Sequence, residues 1–277
     1  MTQGVLYIAT GKEFVEEALL SINSLKNKTD LPVSLASDLH VDNEYVDNLI
    51  YIENPDYSFG DQIEALRRTP YAQTLALDTD IYVYEDPSDI FSILNEFDIA
   101  AAHAPAREQD TDSTAGRPPK SFPEYNTGVV GYNLTDSFRD FLNVWKTEYE
   151  RDLSRGYTRN QPSFRRSLYR SDLRIATLPP EYNCRYQFPG QVTDTVKIFH
   201  GRLKTLNANS GGTSYLMDVE AVAKKINSES GPRVYFPRGN SVSIRTLNGS
   251  ILFRFLYSLQ TNGFTTTFKK VIKKIIG

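Results

Sequence analysis

The chain has 277 residues, 40% hydrophobic, 12% aromatic and 23% charged, a globular composition sufficient for one large domain with an appendage. Cys184 is the only cysteine, which excludes a disulfide framework and any paired-cysteine metal or redox site. A net charge of -3 gives no whole-protein attraction to nucleic acid, and no apolar run approaches the roughly 18 residues of a membrane span. Met1-Thr2-Gln3 leads into an apolar stretch without a signal-peptide layout, so the expectation is a cytoplasmic protein.

Residues 5–8 read as a short buried strand that ends at the turn signal Thr10-Gly11. Phe14, Val15, Ala18, Leu19, Ile22 and Leu25 recur at helical spacing and predict an amphipathic helix over residues 13–26. Strands are expected at 33–36, closed by Asp38, and at 49–52, stopped before Pro55. A helix over 63–68 ends ahead of Pro70 and leads to a buried strand at 74–77. This alternation predicts an α/β sheet covered by helices, in which ligands gather at the carboxyl ends of the strands. Thr10-Gly11, Asp38 and Asp78-Thr79-Asp80 all fall at such ends.

A further strand at 99–102 delivers His103. The 22 residues from His103 to Glu124 then hold four prolines and almost nothing apolar, the composition of a functional lid or a disordered loop. Residues 127–132 return to strand, 137–151 read as a helix around Trp145, and the last expected strand, 196–199, ends at His200.

Asp78 and Asp80 emerge directly from an apolar strand, and along an extended chain residues two apart point the same way. Two neighbouring carboxylates repel unless they share a proton or a cation, and their hard oxygens suit Mg²⁺ or Mn²⁺. The plain structural alternative is one Asp capping a turn with the other solvated.

Around that motif the sequence resembles the GT-A fold glycosyltransferases, in particular the glycogenin-like and bacterial lipopolysaccharide galactosyltransferase group. The pieces run in the family's order across residues 4–204: Ile8-Ala9-Thr10-Gly11, then Thr69-Pro70-Tyr71 leading into Leu77-Asp78-Thr79-Asp80, and then Tyr125-Asn126-Thr127-Gly128. Asn160-Gln161-Pro162, Leu178-Pro179-Pro180-Glu181-Tyr182-Asn183 and Ile198-Phe199-His200-Gly201 complete the series. The resemblance implies a Rossmann-like mixed central sheet flanked by helices, with a C-terminal helical extension. It divides the chain into a catalytic domain at 1–215, with a donor part to about residue 100 and an acceptor part beyond it, and an extension at 216–277.

The same resemblance implies that Asp78, Asp80 and His200 hold Mn²⁺ or Mg²⁺, the remaining positions being filled by the diphosphate of a nucleotide-sugar. Ala9, Thr10, Gly11, Gln62, Thr79 and the Asn126, Thr127, Gly128 loop would line the donor, as would Arg202 and Lys204 beyond the histidine. Lys204 stands closer to His200 than the family's lysine does. Gln161 would lie beside the reacting carbon, with Asn160 where the family usually carries Asp. Gln62 stands where similar enzymes tend to carry Lys or Arg, and Arg67 or Arg68 offers a substitute charge if neither is a surface residue. His40 and His103 read as structural.

The implied reaction is metal-dependent transfer from a nucleotide-sugar, a UDP-sugar foremost, to a glycan or lipid-linked acceptor, with retention. Two other readings stay open. One is a catalytically degenerate nucleotide- or glycan-binding member, motivated by Gln62 and Asn160; the other is a phosphatase using the paired aspartates. Finally, the first 250 residues carry 26 basic against 34 acidic groups, whereas the tail carries five basic and no acidic ones. From Phe268, apolar residues fall on one helical face and Lys269, Lys270, Lys273 and Lys274 on the other. Such a helix suits an anionic membrane surface, making the protein peripheral to a membrane, or packs back on the domain.

Overall fold

The computed structural model describes residues 1–105, 117–203 and 217–246. The amino-terminal half runs β1 (Gln3–Ala9), α1 (Lys12–Lys26), β2 (Val33–Ser37), β3 (Asn48–Tyr51), α2 (Phe59–Leu66), β4 (Gln73–Leu77), β5 (Ile81–Val83), α3 (Ile90–Ile93) and β6 (Ile99–His103). It continues through β7 (Tyr125–Asn133), α4 (Asp136–Leu153), α5 (Gln161–Tyr169), β8 (Ile175–Leu178), β9 (Gly190–Val192), β10 (Ile198–His200), α6 (Val219–Asn227), β11 (Arg233–Arg238) and β12 (Ser241–Thr246).

Seven strands form the central sheet in the order β3-β2-β1-β4-β7-β6-β8. All neighbours are parallel except at β7, which runs antiparallel to both β4 and β6. The apolar runs are continuous because both faces are covered. Val5, Tyr7, Leu75 and Leu77 enter one core under α1 and α3; Leu6, Ala76, Val130 and Tyr132 enter the other with Phe141, Trp145 and Phe164.

Helix α2 begins four residues before the apolar periodicity does, because Ser58 caps it: the serine Oγ accepts the Gly60 N–H at 3.0 Å. Helix α5 lies where the sequence showed only the Asn160-Gln161-Pro162 motif. Its proline falls in the first turn, where a missing N–H is tolerated. Strands β5 and β10 are three residues each and pair antiparallel with one another, His200 opposite Ile81.

Beyond the central sheet and the β5–β10 pair, β9, β11 and β12 form a three-stranded sheet. With α6 it buries Tyr186, Val192, Val196 and Phe199 against Met217, Val222, Ile226 and Tyr235. The expected helix at the chain's end lies outside the described residues, as does the middle half, 106–116, of the expected lid between His103 and Glu124. Among the described residues no helix is long and apolar enough to cross a membrane.

Candidate active site

Strand β1 sends its connections to β2 on one side and lies against β4 on the other, which opens a crevice at their carboxyl ends. Asp78 is the first residue past β4, and its N–H donates to the Gly128 carbonyl at 2.9 Å. Because β7 is antiparallel, its beginning (Asn126, Thr127 and Gly128) lies at this same edge. The chain turns through Thr79 and Asp80 into β5, and the pairing of β5 with β10 delivers His200, with the Gly201 N–H donating to the Asp80 carbonyl at 2.8 Å.

Ligand atoms of Asp78, Asp80 and His200 thereby lie within 4.8 Å of one another. His200 is buried, and its Nε2 is 3.2 Å from Asp80 Oδ1 and 3.8 Å from Asp78 Oδ2. Its tautomer follows from a chain of donors. The Gly128 N–H can only donate, so Asn126 Oδ1 accepts it, at 3.0 Å, and accepts the Asn183 amide as well, at 2.8 Å. Asn183 Oδ1 is left facing His200 Nδ1 at 2.8 Å, so Nδ1 carries the proton. Nε2 keeps its lone pair, which accepts from Arg185 Nη1 at 3.0 Å.

Two carboxylates and a neutral imidazole nitrogen fit a divalent cation such as Mn²⁺ or Mg²⁺. Room for that arrangement depends on Gly128. A Cβ there would overlap the His200 ring and come within 2.7 Å of Asp78 Oδ2.

The two acids respond oppositely to this setting. Burial raises Asp78, and the neighbouring Asp80 charge adds to it, outweighing the Arg185 and Arg202 charges. Burial acts on Asp80 too, but nearby positive groups, Arg202 and Arg185 among them, hold that carboxyl well below the usual range. Such a pair gains from a cation placed between its members.

Gln62 spans the crevice. Its Nε2 donates to Asp78 Oδ1 at 3.0 Å, and its Oε1 accepts from Asn160 Nδ2 at 2.8 Å. Asn160 is buried and also accepts from the Thr127 hydroxyl at 3.3 Å. Gln161 follows it as the half-buried first residue of α5. Arg67 and Arg68 do not reach the site: Arg67 pairs with Glu64 and Asn143, and Arg68 donates to the Tyr51 carbonyl.

Other residues expected at the donor are held by neighbours that carried no signal in the sequence. The fully buried Glu17 accepts from Thr79 Oγ1 at 2.8 Å, from Arg202 Nη1 at 2.6 Å and from the Leu203 N–H at 3.1 Å. The Thr10 hydroxyl donates to Asp61 at 3.2 Å, beyond the buried Ala9. Gly11, at φ 87°, donates its N–H to Asp38 at 2.8 Å, and the exposed Tyr57 donates to the other Asp38 oxygen at 3.2 Å. Tyr57 itself has φ 50°, a left-handed backbone rare for an aromatic residue. Lys204 lies outside the described residues. His40 is exposed, and His103 packs edge-on against Tyr125 at the sheet's rim.

Glu17, Asn183 and Arg185 are thus functional candidates without a role in the motif reading. The only signal for Glu17 is its place on the apolar face of α1, where a carboxylate needs partners.

No family model and no curated protein matches the sequence. Among solved structures, the galactosyltransferase LgtC, determined with donor and acceptor sugar analogues, aligns at a TM-score of 0.55 with 11% identity over 76% of this chain and 91% of LgtC. GlyE of Streptococcus pneumoniae TIGR4, a glycosyltransferase, aligns at 0.48 with 16% identity over 66% of this chain and 47% of GlyE, so the chain spans about half of that protein. Mouse xyloside xylosyltransferase 1 aligns at 0.48 with 15% identity over 74% of this chain and 99% of the enzyme. The chain therefore has the fold of LgtC, a mixed sheet between helical layers of the GT-A type.

Proposed function

We propose that the protein is a metal-dependent glycosyltransferase that moves a sugar from a nucleotide-sugar, with UDP as the carrier, to a glycan or lipid-linked acceptor with retention of configuration. The observation that carries this reading is the convergence of Asp78, Asp80 and His200 at the carboxyl edge of a sheet with the LgtC fold. Asp78, Asp80 and the Nε2 of His200 would hold Mn²⁺ or Mg²⁺. When bound, such an ion supplies Lewis-acid stabilisation for the charge that grows on the leaving diphosphate.

The chain's own residues prepare that site. Asn126 and Asn183 present the correct face of His200, and Gln62 holds one oxygen of Asp78. Glu17 ties Thr79 and Arg202 to α1, so the segment entering the centre and the one leaving it move as a unit. Residue 160 presents an amide between Gln62 and Thr127, so retention does not run through a carboxylate nucleophile at that position. Gln161 remains for the donor sugar, the Gly128 N–H and carbonyl being taken by Asn126 and Asp78. The basic tail beyond residue 267 fits a membrane surface bearing a lipid-linked acceptor.

Calorimetric titration of UDP with and without Mn²⁺, on wild type and Asp80→Ala, tests the reading. Binding that needs Mn²⁺ and is lost in the variant supports it and justifies a screen of UDP-sugars for turnover. Turnover that persists in excess EDTA overturns the metal dependence. Metal-dependent UDP binding with no turnover of any UDP-, GDP-, CDP- or dTDP-sugar favours the degenerate nucleotide-binding reading, for which Gln62 and Asn160, taken singly, speak.

A further inference from the structure

Arg185 follows Asn183 and Cys184 on a segment that is rigidly tied to β10. The Cys184 N–H donates to the Ile198 carbonyl at 2.9 Å, and the Cys184 carbonyl accepts the His200 N–H at 3.0 Å. The root of Arg185 is therefore fixed relative to His200. Its guanidinium carbon sits 5.6 Å from the Phe188 ring centre, and its Nη1 donates to His200 Nε2 at 3.0 Å. Its Nε is buried with no partner among the described residues.

We infer that Arg185 is a tethered cation of this centre, which occupies the His200 lone pair while no metal is bound and turns to the donor's diphosphate when one is. The inference rests on the donor reading above.

Two features carry it. A guanidinium only donates, and Nε2 is the single lone pair on the His200 ring, so Arg185 and a metal ion compete for one atom. The unpartnered Nε leaves this set of contacts incomplete, since a buried donor without an acceptor is costly. Nε and a neighbouring Nη form the edge of the guanidinium that matches two phosphate oxygens. A nucleoside diphosphate at the crevice would supply them.

Arg185→Gln removes the competitor and the phosphate contact together, so its two effects have opposite sign. Titrated with Mn²⁺ alone, the variant should bind the ion about tenfold more tightly than wild type; titrated with UDP at saturating Mn²⁺, it should bind about tenfold more weakly, the size of one hydrogen bond to a charged group. Arg185→Lys, which keeps the charge but not the planar edge, should recover part of the UDP affinity. A fall in both affinities marks a structural role and overturns the inference, as does no change in either. Wild-type protein that binds Mn²⁺ but no nucleoside diphosphate overturns the donor reading, and the Mn²⁺ titration then still decides whether Arg185 competes for His200. A thermal melt on each variant separates a loss of fold from a loss of contact.

Discussion

Asn160 donates its side-chain amide to Gln62 at 2.8 Å, and Gln62 donates onward to Asp78 at 3.0 Å. The two positions lie 98 residues apart in the chain, yet they form one neutral unit at the centre of the crevice. As separate departures from the family pattern, Gln62 and Asn160 suggest a decayed site. As a pair they are self-consistent, because Asn160 donates to the Gln62 oxygen, Asp78 and Thr127 take up the remaining amide groups, and neither leaves a buried charge.

That pairing predicts a reciprocal charge swap. Asn160→Asp places an unpaired charge in a buried setting and should destabilise the fold by about 3 kcal/mol. Gln62→Lys sets a cation against Asp78 and should weaken Mn²⁺ binding. The double variant forms an ion pair in the same geometry and should recover at least about 1 kcal/mol of the summed loss. Thermal melts and Mn²⁺ titrations of the three proteins check this; simple additivity would refute the coupling.

Gly128 should tolerate no side chain. Alanine there must displace the His200 ring or the Asp78 carboxylate, since its Cβ would lie 2.7 Å from Asp78 Oδ2. Mn²⁺ affinity should fall at least about tenfold, the cost of misplacing a ligand by a fraction of an ångström. A variant crystal structure with His200 and Asp78 both unmoved would contradict this account.

Asn183→Leu removes the acceptor that holds the proton on His200 Nδ1. The ring is then free to carry its proton on Nε2, and metal affinity should fall by about 10- to 100-fold while the fold persists. Metal titration alongside circular dichroism reads both quantities.

A second prediction on stability concerns the ion cluster between α4 and α5, away from the crevice. Arg166 donates to Glu148 at 3.0 Å and to both oxygens of Asp152 at 2.6 and 2.7 Å, all three side chains being buried. Burial works to raise Glu148, but the Arg166 hydrogen bond and the Arg151, Arg166 and Arg170 charges outweigh it and hold the carboxyl below its usual value. A folded value below the unfolded one stabilises the protein above the unfolded value of about 4.5, and that stability is lost as pH falls through the folded value. The thermal midpoint of wild type should therefore drop below about pH 4.5, and the drop should be shallower in Glu148→Gln. Arg166→Met at neutral pH should cost about 3 kcal/mol, because it removes the buried cation that Glu148 and Asp152 share.

Much of the sheet was legible in the sequence because its strands are buried on both faces. Runs such as Val5 to Ile8 and Thr74 to Leu77 need no partner information to be recognised, and the acidic motif follows the second of them directly. Asp78 and Asp80 could be named for the same reason, standing just past an apolar strand, whereas His200 was singled out only through the family resemblance.

What lay between those elements depended on the tertiary structure. Strands β5 and β10 are three residues long, too short to show a period, yet their pairing alone sets His200 against Asp80. The reversed direction of β7, which brings Gly128 to the metal ligands, is written in no local pattern. Glu17 meets Arg202 across 185 residues of chain, and the Gln62–Asn160 bond joins α2 to the start of α5. Local sequence determined which segments bury apolar surface, because that depends on spacing along one element. The partners of each buried polar group were decided only once the strands had paired, because a hydrogen bond between distant residues leaves no periodic trace in either of them.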